Sequence, residues 1–348
     1  MPFGIEPLAD IADKANASGL KFPTLMRIVL PGLLSAGFLY PLIHPITSLI
    51  EGDFGYHWSR LLLFAGMTLL AGITVSILSD EIYKAYEGRA YWPKRLLTWG
   101  MARQTARAQK LNREQEELKG NSDDKDHRQY NEIWTKLIDY PRGKDDQPYP
   151  DKPTLLGNIL YTYESYPKDR YGIDSVFYWP RIWMDMDKDK KEEIDEAWSV
   201  ADGLLSLSAV SFLGGTLWVV LGVLDKLDMP VTRVPNGGAW TMVAGAVSIL
   251  MGYGIYRVSL PFHRKNGDRY KSIFDLYRSK AASMTELKPK EIALWTASWA
   301  YFQYGLLFCP VCGRYNLITA DTCKSCNSNL LRVQRTFMET GKFPLPPV

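Results

Sequence analysis

Two uncharged runs, Gly203 to Leu224 and Gly237 to Tyr256, constrain this chain more than anything else in it. Each is about 20 residues long, the length an α-helix needs to cross roughly 30 Å of hydrocarbon. A soluble core can absorb one such run. Two in tandem, joined by a polar turn with Pro230, Pro235 and Asn236, read as a transmembrane hairpin. Ile28 to Ile50 and Leu61 to Ser79 repeat the pattern around the turn at 51–58, so four spans are expected. Pro31, Pro41 and Pro45 predict a kinked or broken outer half in the first of them.

The overall hydrophobic share of 46% hides this, because the apolar residues are concentrated in the spans. A net charge of +3 does not by itself indicate nucleic acid, which is a possible partner but not an indicated one. The distribution of charge says more. Lys84, Arg89, Lys94 and Arg95 follow span two, and Arg257, His263, Arg264, Lys265 and Arg269 follow span four, while of Lys and Arg the turns at 51–58 and 225–236 carry only Lys226 and Arg233. The positive-inside rule then places both termini and the long middle segment in the cytoplasm. Residues 1–23 lack the apolar core of a cleavable signal, so span one is expected to act as the insertion signal.

The resulting fold class is mainly α, a four-span helical membrane protein with a cytoplasmic helical region and, because Cys309, Cys312, Cys323 and Cys326 form two CxxC pairs, a small C-terminal zinc ribbon. Its expected parts are an N-terminal arm (1–23), hairpin 1 (24–80), a cytoplasmic helical region (81–198), hairpin 2 (199–260), juxtamembrane helices (261–304), the ribbon (305–335) and a tail (336–348). Aromatic and basic residues at 80–95 are expected at the headgroup level. Leu96 to Lys119 is built from strong helix formers, and Tyr130, Ile133, Trp134, Leu137 and Ile138 share one face of a second helix. These two predict an αα-hairpin projecting into the cytoplasm, whose residues Arg103, Arg107, Lys110 and Arg113 form a basic face that is either solvated or set against phosphates.

Pro153-Thr-Leu-Leu-Gly-Asn158 opens an aromatic-rich stretch, with Thr154 as a helix cap over Leu155, Ile159 and Leu160. Tyr163-Glu-Ser-Tyr166, Arg170-Tyr-Gly-Ile-Asp174 and Trp179-Pro-Arg181 follow, and residues 150–183 are expected to pack as a unit. With Ile273 to Arg278, these motifs resemble a family of bacterial multi-pass membrane proteins over roughly 60–280. That resemblance implies the same topology and supplies no activity.

All four cysteines fall in Cys309-Pro-Val-Cys312 and Cys323-Lys-Ser-Cys326. Two CxxC knuckles about ten residues apart suit four thiolates around one zinc, with no open coordination position, which predicts a structural zinc site at Cys309, Cys312, Cys323 and Cys326. Weaker candidates are a calcium loop from Asp185 through Asp187 and Asp189 to Glu196, a metal set at Glu51, Asp53 and His57, a proton or ligand site at His44, and an ion path through Asp202. For each the plainer alternative is a helix N-terminus, a solvated loop or a hydrated interface. Ser206, Ser208 and Ser211 read as helix packing or as a pore lining; Ser211 with Gly215, and Ala244 with Ser248 and Gly252, recur every four residues.

No HExxH, GxSxG or Walker A motif occurs. The leading expectation is a non-catalytic membrane scaffold or sensor that recruits a partner and works in the lipid bilayer as a homo-oligomer or in a complex with another protein. A pore-forming or membrane-perturbing effector, in a bacterial defence system, is the alternative. An enzyme of an unrecognised class, using Glu164, Asp174 or Arg181, is the third reading.

Overall fold

Helix-forming runs separated by proline, glycine and acidic turns give a mainly helical chain. The computed structural model describes residues 21–50, 56–118, 124–142, 147–171, 174–227, 238–283, 306–309, 315–317, 320–324 and 326–331. Its helices are α1 (Leu30–Ile50), α2 (Tyr56–Ile77), α3 (Ser79–Glu87), α4 (Lys94–Leu118), α5 (Asp124–Leu137), α6 (Leu155–Tyr171), α7 (Ser175–Asp185), α8 (Lys188–Lys226) and α9 (Gly238–Ser283). Two short strands, β1 (Leu306–Phe308) and β2 (Tyr315–Leu317), pair antiparallel with Leu307 opposite Asn316. Among the described residues, three helical stretches are long and apolar enough to cross a membrane: Phe22–Tyr40, Lys188–Lys226 and Gly238–Tyr277. A fourth arises if α2 and α3, which meet at a 53° bend, count as one span.

Proline acts at the start of α1, where the sequence pattern did not place the irregularity. Pro31 has no N–H for the Arg27 carbonyl, and a π-helical turn, Leu25–Val29, precedes the helix instead of a regular one. Beyond it the backbone stays helical to Ile50, through Pro41 and Pro45. At the other end of the hairpin, α3 closes on a Schellman motif. Gly88, at φ 76°, donates to Ala85 O, and Arg89 N–H donates to Lys84 O at 2.9 Å.

The contacts divide the chain into two units, one of residues 1–165 with 187–271, the other of 166–186 with 272–348. In the first, α8 and α9 meet along small residues. Gly222 opposes Gly238, Gly215 opposes Gly245, and Ser208 donates to Gly252 O at 2.8 Å. The spacing is seven on both helices, and Ala201 and Ser259, both buried, continue it. A Cβ on Gly215 would lie 2.7 Å from Gly245 O, so glycine is what permits this approach. The seam is therefore a heptad one, a spacing that keeps two helices in register.

Around α4, α5 and α6 lies a separate core of Ala108, Leu111, Ile133, Leu137, Leu156 and Ile159, completed by Leu205 and Leu260. Each fully buried leucine there adds about 2 kcal/mol. The α4–α5 pair does form, but it is packed into this core instead of projecting. Trp134, expected on the buried face of α5, is 45% exposed; Ile133 and Leu137 carry that face without it.

Pro153-Thr-Leu-Leu-Gly-Asn158 ties this core together. Asn158 is fully buried, and its side chain accepts from Asp151 N and Lys152 N and donates to Lys152 O and Thr154 O, which uses its whole hydrogen-bonding capacity. Thr154 Oγ1 accepts from Gly157 N at 3.0 Å, the predicted cap. Pro153 lies against Gly88 and Gly100, where a side chain would collide. On the opposite flank Arg264 grips the buried carboxylate of Asp139 with two hydrogen bonds, 2.5 and 2.6 Å. Burial still holds that carboxyl above its ordinary range.

In the second unit, Tyr166 and Tyr171 both donate to Asp275, and Trp179 faces Phe274 with ring centroids 6.2 Å apart. Ile182, Tyr178 and Phe274 are buried there.

Candidate functional site

The strand β1 leads directly into Cys309, and the segment after β2 returns Cys323 and Cys326 to the same place. All three sulfurs lie within 4.8 Å of one another, so these cysteines can hold a metal ion. Cys309 Sγ and Cys326 Sγ are 3.6 Å apart. A disulfide requires ~2.05 Å, whereas two sulfurs on a tetrahedral zinc with Zn–S of 2.3 Å stand ~3.8 Å apart. Cys309 and Cys323 are buried and Cys326 is exposed. Cys312, the expected fourth ligand, lies outside the described residues.

Local backbone geometry sets this convergence. Asn327, at φ 53°, turns the chain; its N–H donates to Cys323 O, and Cys323 N–H donates to Ser328 O. Two residues that the cysteine pattern did not single out complete the surroundings. Ser328 Oγ lies 3.0 Å from Cys309 Sγ and 3.1 Å from Cys326 Sγ, and Asn316 Nδ2 donates to Cys323 Sγ at 3.5 Å while its Oδ1 accepts from Lys324 N. The Asn316 amide steadies thiolate charge, and the single Ser328 hydroxyl proton can serve one of its two sulfurs. A polar Asn inside a short apolar strand, and a Ser two positions after the last cysteine, were the available signals.

A second polar cluster joins the first helical stretch to α8. Arg27 Nη1 pairs with Asp195 at 2.6 Å, and its Nε and Nη2 reach Asp202 Oδ2 at 2.9 and 2.8 Å. Tyr83, from α3, donates to Asp202 Oδ1 at 2.5 Å. His263 stands edge-on to Tyr83 at 5.7 Å; it is 2% exposed, and its Nε2 has no hydrogen-bond partner among the described residues. Asp202 is thus an anchor for three helical segments, a role that neither the hydrated-interface nor the ion-path expectation included.

The other candidates fall as follows. The calcium loop does not exist: α8 starts at Lys188, so Asp189 through Glu196 are helical and cannot wrap an ion. Ser208 and Ser211 are spent on packing, Ser208 with Gly252 and with Tyr86 at 2.7 Å, and Ser211 on Leu207 O. Ser206 is buried too. Asp174 caps α7 through Phe177 N, Arg181 stacks 3.8 Å over Phe177 and donates to its carbonyl, and Glu164 faces Arg89 at 3.4 Å. Each has a structural task. Within 80–95, Tyr83 and Tyr86 point into α8 and Arg89 pairs with Glu87, while Lys84, Tyr91, Lys94 and Arg95 are exposed. Glu51 and Asp53, and the side chains of His44 and His57, lie outside the described residues.

No family model matches this chain, and no curated protein or solved structure does either. The site is therefore read from its own geometry.

Proposed function

We propose that the chain is a four-span protein of a bacterial inner membrane, both termini cytoplasmic, that works as a non-catalytic scaffold or sensor and recruits a partner through a zinc-held C-terminal ribbon. The observation carrying this reading is the convergence of Cys309, Cys323 and Cys326 at metal-ligand separations. Cys312 would complete four sulfur ligands, which leave no position for water or substrate and so suit a structural role. Zinc, when bound, supplies a crosslink to a segment with very little core of its own.

Membrane insertion is supported by the apolar side chains left exposed along the long helices, among them Leu62, Leu70, Leu213, Trp240 and Leu250. The lysine and arginine bias and the motif resemblance support the orientation. Recruitment as a homo-oligomer or with another protein fits the exposed polar side chains of Asp321, Lys324 and Asn327. The test combines metal analysis with in-cell crosslinking of the full chain. About one zinc per chain is expected, together with crosslinks from 315–331 that vanish in Cys323→Ser while membrane insertion persists. Metal-free protein purified without chelator, or crosslinks unchanged by the substitution, would reject the reading.

A further inference from the structure

Between α3, α4, α8 and α9, all within the first unit, lies a cleft of about 710 Å³. Its walls are mainly apolar and aromatic, including Trp99, Phe212, Leu213 and Tyr253, and three arginines, Arg103, Arg107 and Arg257, line it as well. None of the three has a carboxylate within ion-pairing distance among the described residues. Glu81 is the one acidic residue in the lining, and it is already bonded to Lys84 and Tyr91. Arg107 lies in the field of Asp139, whose oxygens are both taken by Arg264. The cleft therefore carries unspent positive charge beside an apolar floor.

Two residues of that floor, Leu213 and Tyr253, lie within uncharged runs of span length and are exposed, as is Trp99, which lines the cleft from α4 one turn before Arg103. A soluble anion would use the arginines and leave the floor bare. A neutral lipid would use the floor and leave three cations unmatched. An acyl chain attached to a phosphate matches both.

We propose that this cleft binds one anionic phospholipid, with an acyl chain along Phe212, Leu213 and Tyr253 and the phosphate among Arg103, Arg107 and Arg257. The inference rests on the membrane reading above. Arg103, already 5.4 Å from the Trp99 ring centroid, is held at the rim by that stacking.

The full chain, delipidated in mild detergent, is titrated by native mass spectrometry with phosphatidylglycerol and with phosphatidylcholine of identical chains. One phosphatidylglycerol per chain is expected to bind selectively. Changing the three arginines to glutamine should weaken it on the order of 100-fold, and changing them to lysine should restore most of the loss. Ala209→Trp, which fills the cleft without touching charge, should also abolish binding. Equal binding of the neutral lipid, indifference to the glutamine variant, or displacement by excess inorganic phosphate or glycerophosphate would overturn the proposal. Carbonate extraction of the same preparation separates the two failures: an extractable chain sinks the membrane reading, while an inserted chain without lipid preference sinks only this one.

Discussion

Around Asn158, four hydrogen bonds, the Thr154 cap, the Pro153 contacts and a many-sided apolar core hold the same few turns of backbone. In 306–331 the described residues that are buried are Leu307, Cys309, Asn316, Cys323 and Leu330, and the strands are three residues each. The first region can lose one contact and keep the rest. The second converges on a single point, so its order is tied to whatever occupies the sulfurs.

The sharpest way to break this contrast is Cys323→Ser or chelation. Residues 306–331 should become fully sensitive to protease, with zinc released, while helical circular dichroism hardly changes. Coupled loss of both regions would show that they are not separately held.

Arg264→Met attacks the helical region where redundancy is least, since it strands the buried Asp139 carboxylate. A loss of about 3 kcal/mol is expected in detergent unfolding. The sign with pH follows from burial. Asp139 already titrates above its ordinary range, and without its cation it titrates higher still. Stability contributed by such a group is present below its unfolded pKa and lost as pH rises through the folded one. The variant's deficit should thus be smallest in acid and full at neutral pH, whereas a pH-independent deficit would mean that Asp139 is not the cause.

Asn158→Ala should cost about 2 kcal/mol, because backbone groups at 151–154 lose buried partners. A negligible change would indicate that water replaces the amide. The smallest effect is expected from Ser328→Ala, roughly tenfold weaker metal binding in competition with a chelator dye, with the fold retained.

Much of the helical framework was legible because its signals are local. Span length, helix-forming runs and the Thr154 cap each need only a few neighbouring residues. The rest depends on distant partners. Asp202 looked like an interface residue because its counter-ion, Arg27, is 175 residues away. The small residues of α9 were read at a spacing of four, since positions four and seven apart share a face on one helix; only the matching spacing on α8 identifies seven. The bend at Leu78 lacks any Pro or Gly between 74 and 82 to announce it. At the thiol cluster the CxxC spacing was legible and the polar neighbours of the sulfurs were not, because Asn316 and Ser328 come to lie beside them only when the chain folds back.

The unbroken α8 keeps two functions in phase. Asp195 and Asp202 are seven residues apart, and so are Ala201, Ser208, Gly215 and Gly222, one position behind them. On a helix one position is ~100° of azimuth, so the ion-pair stripe and the close-contact stripe run side by side along one rod. A single residue inserted after Asp202 would swing the carboxylates, and Ala201 with them, ~100° relative to the seam from Ser208 to Gly222, and seven inserted residues would nearly restore their bearing while displacing them ~10 Å along the axis. Any insertion there thus changes either the bearing or the height of the carboxylates, a constraint on indels that no single contact imposes.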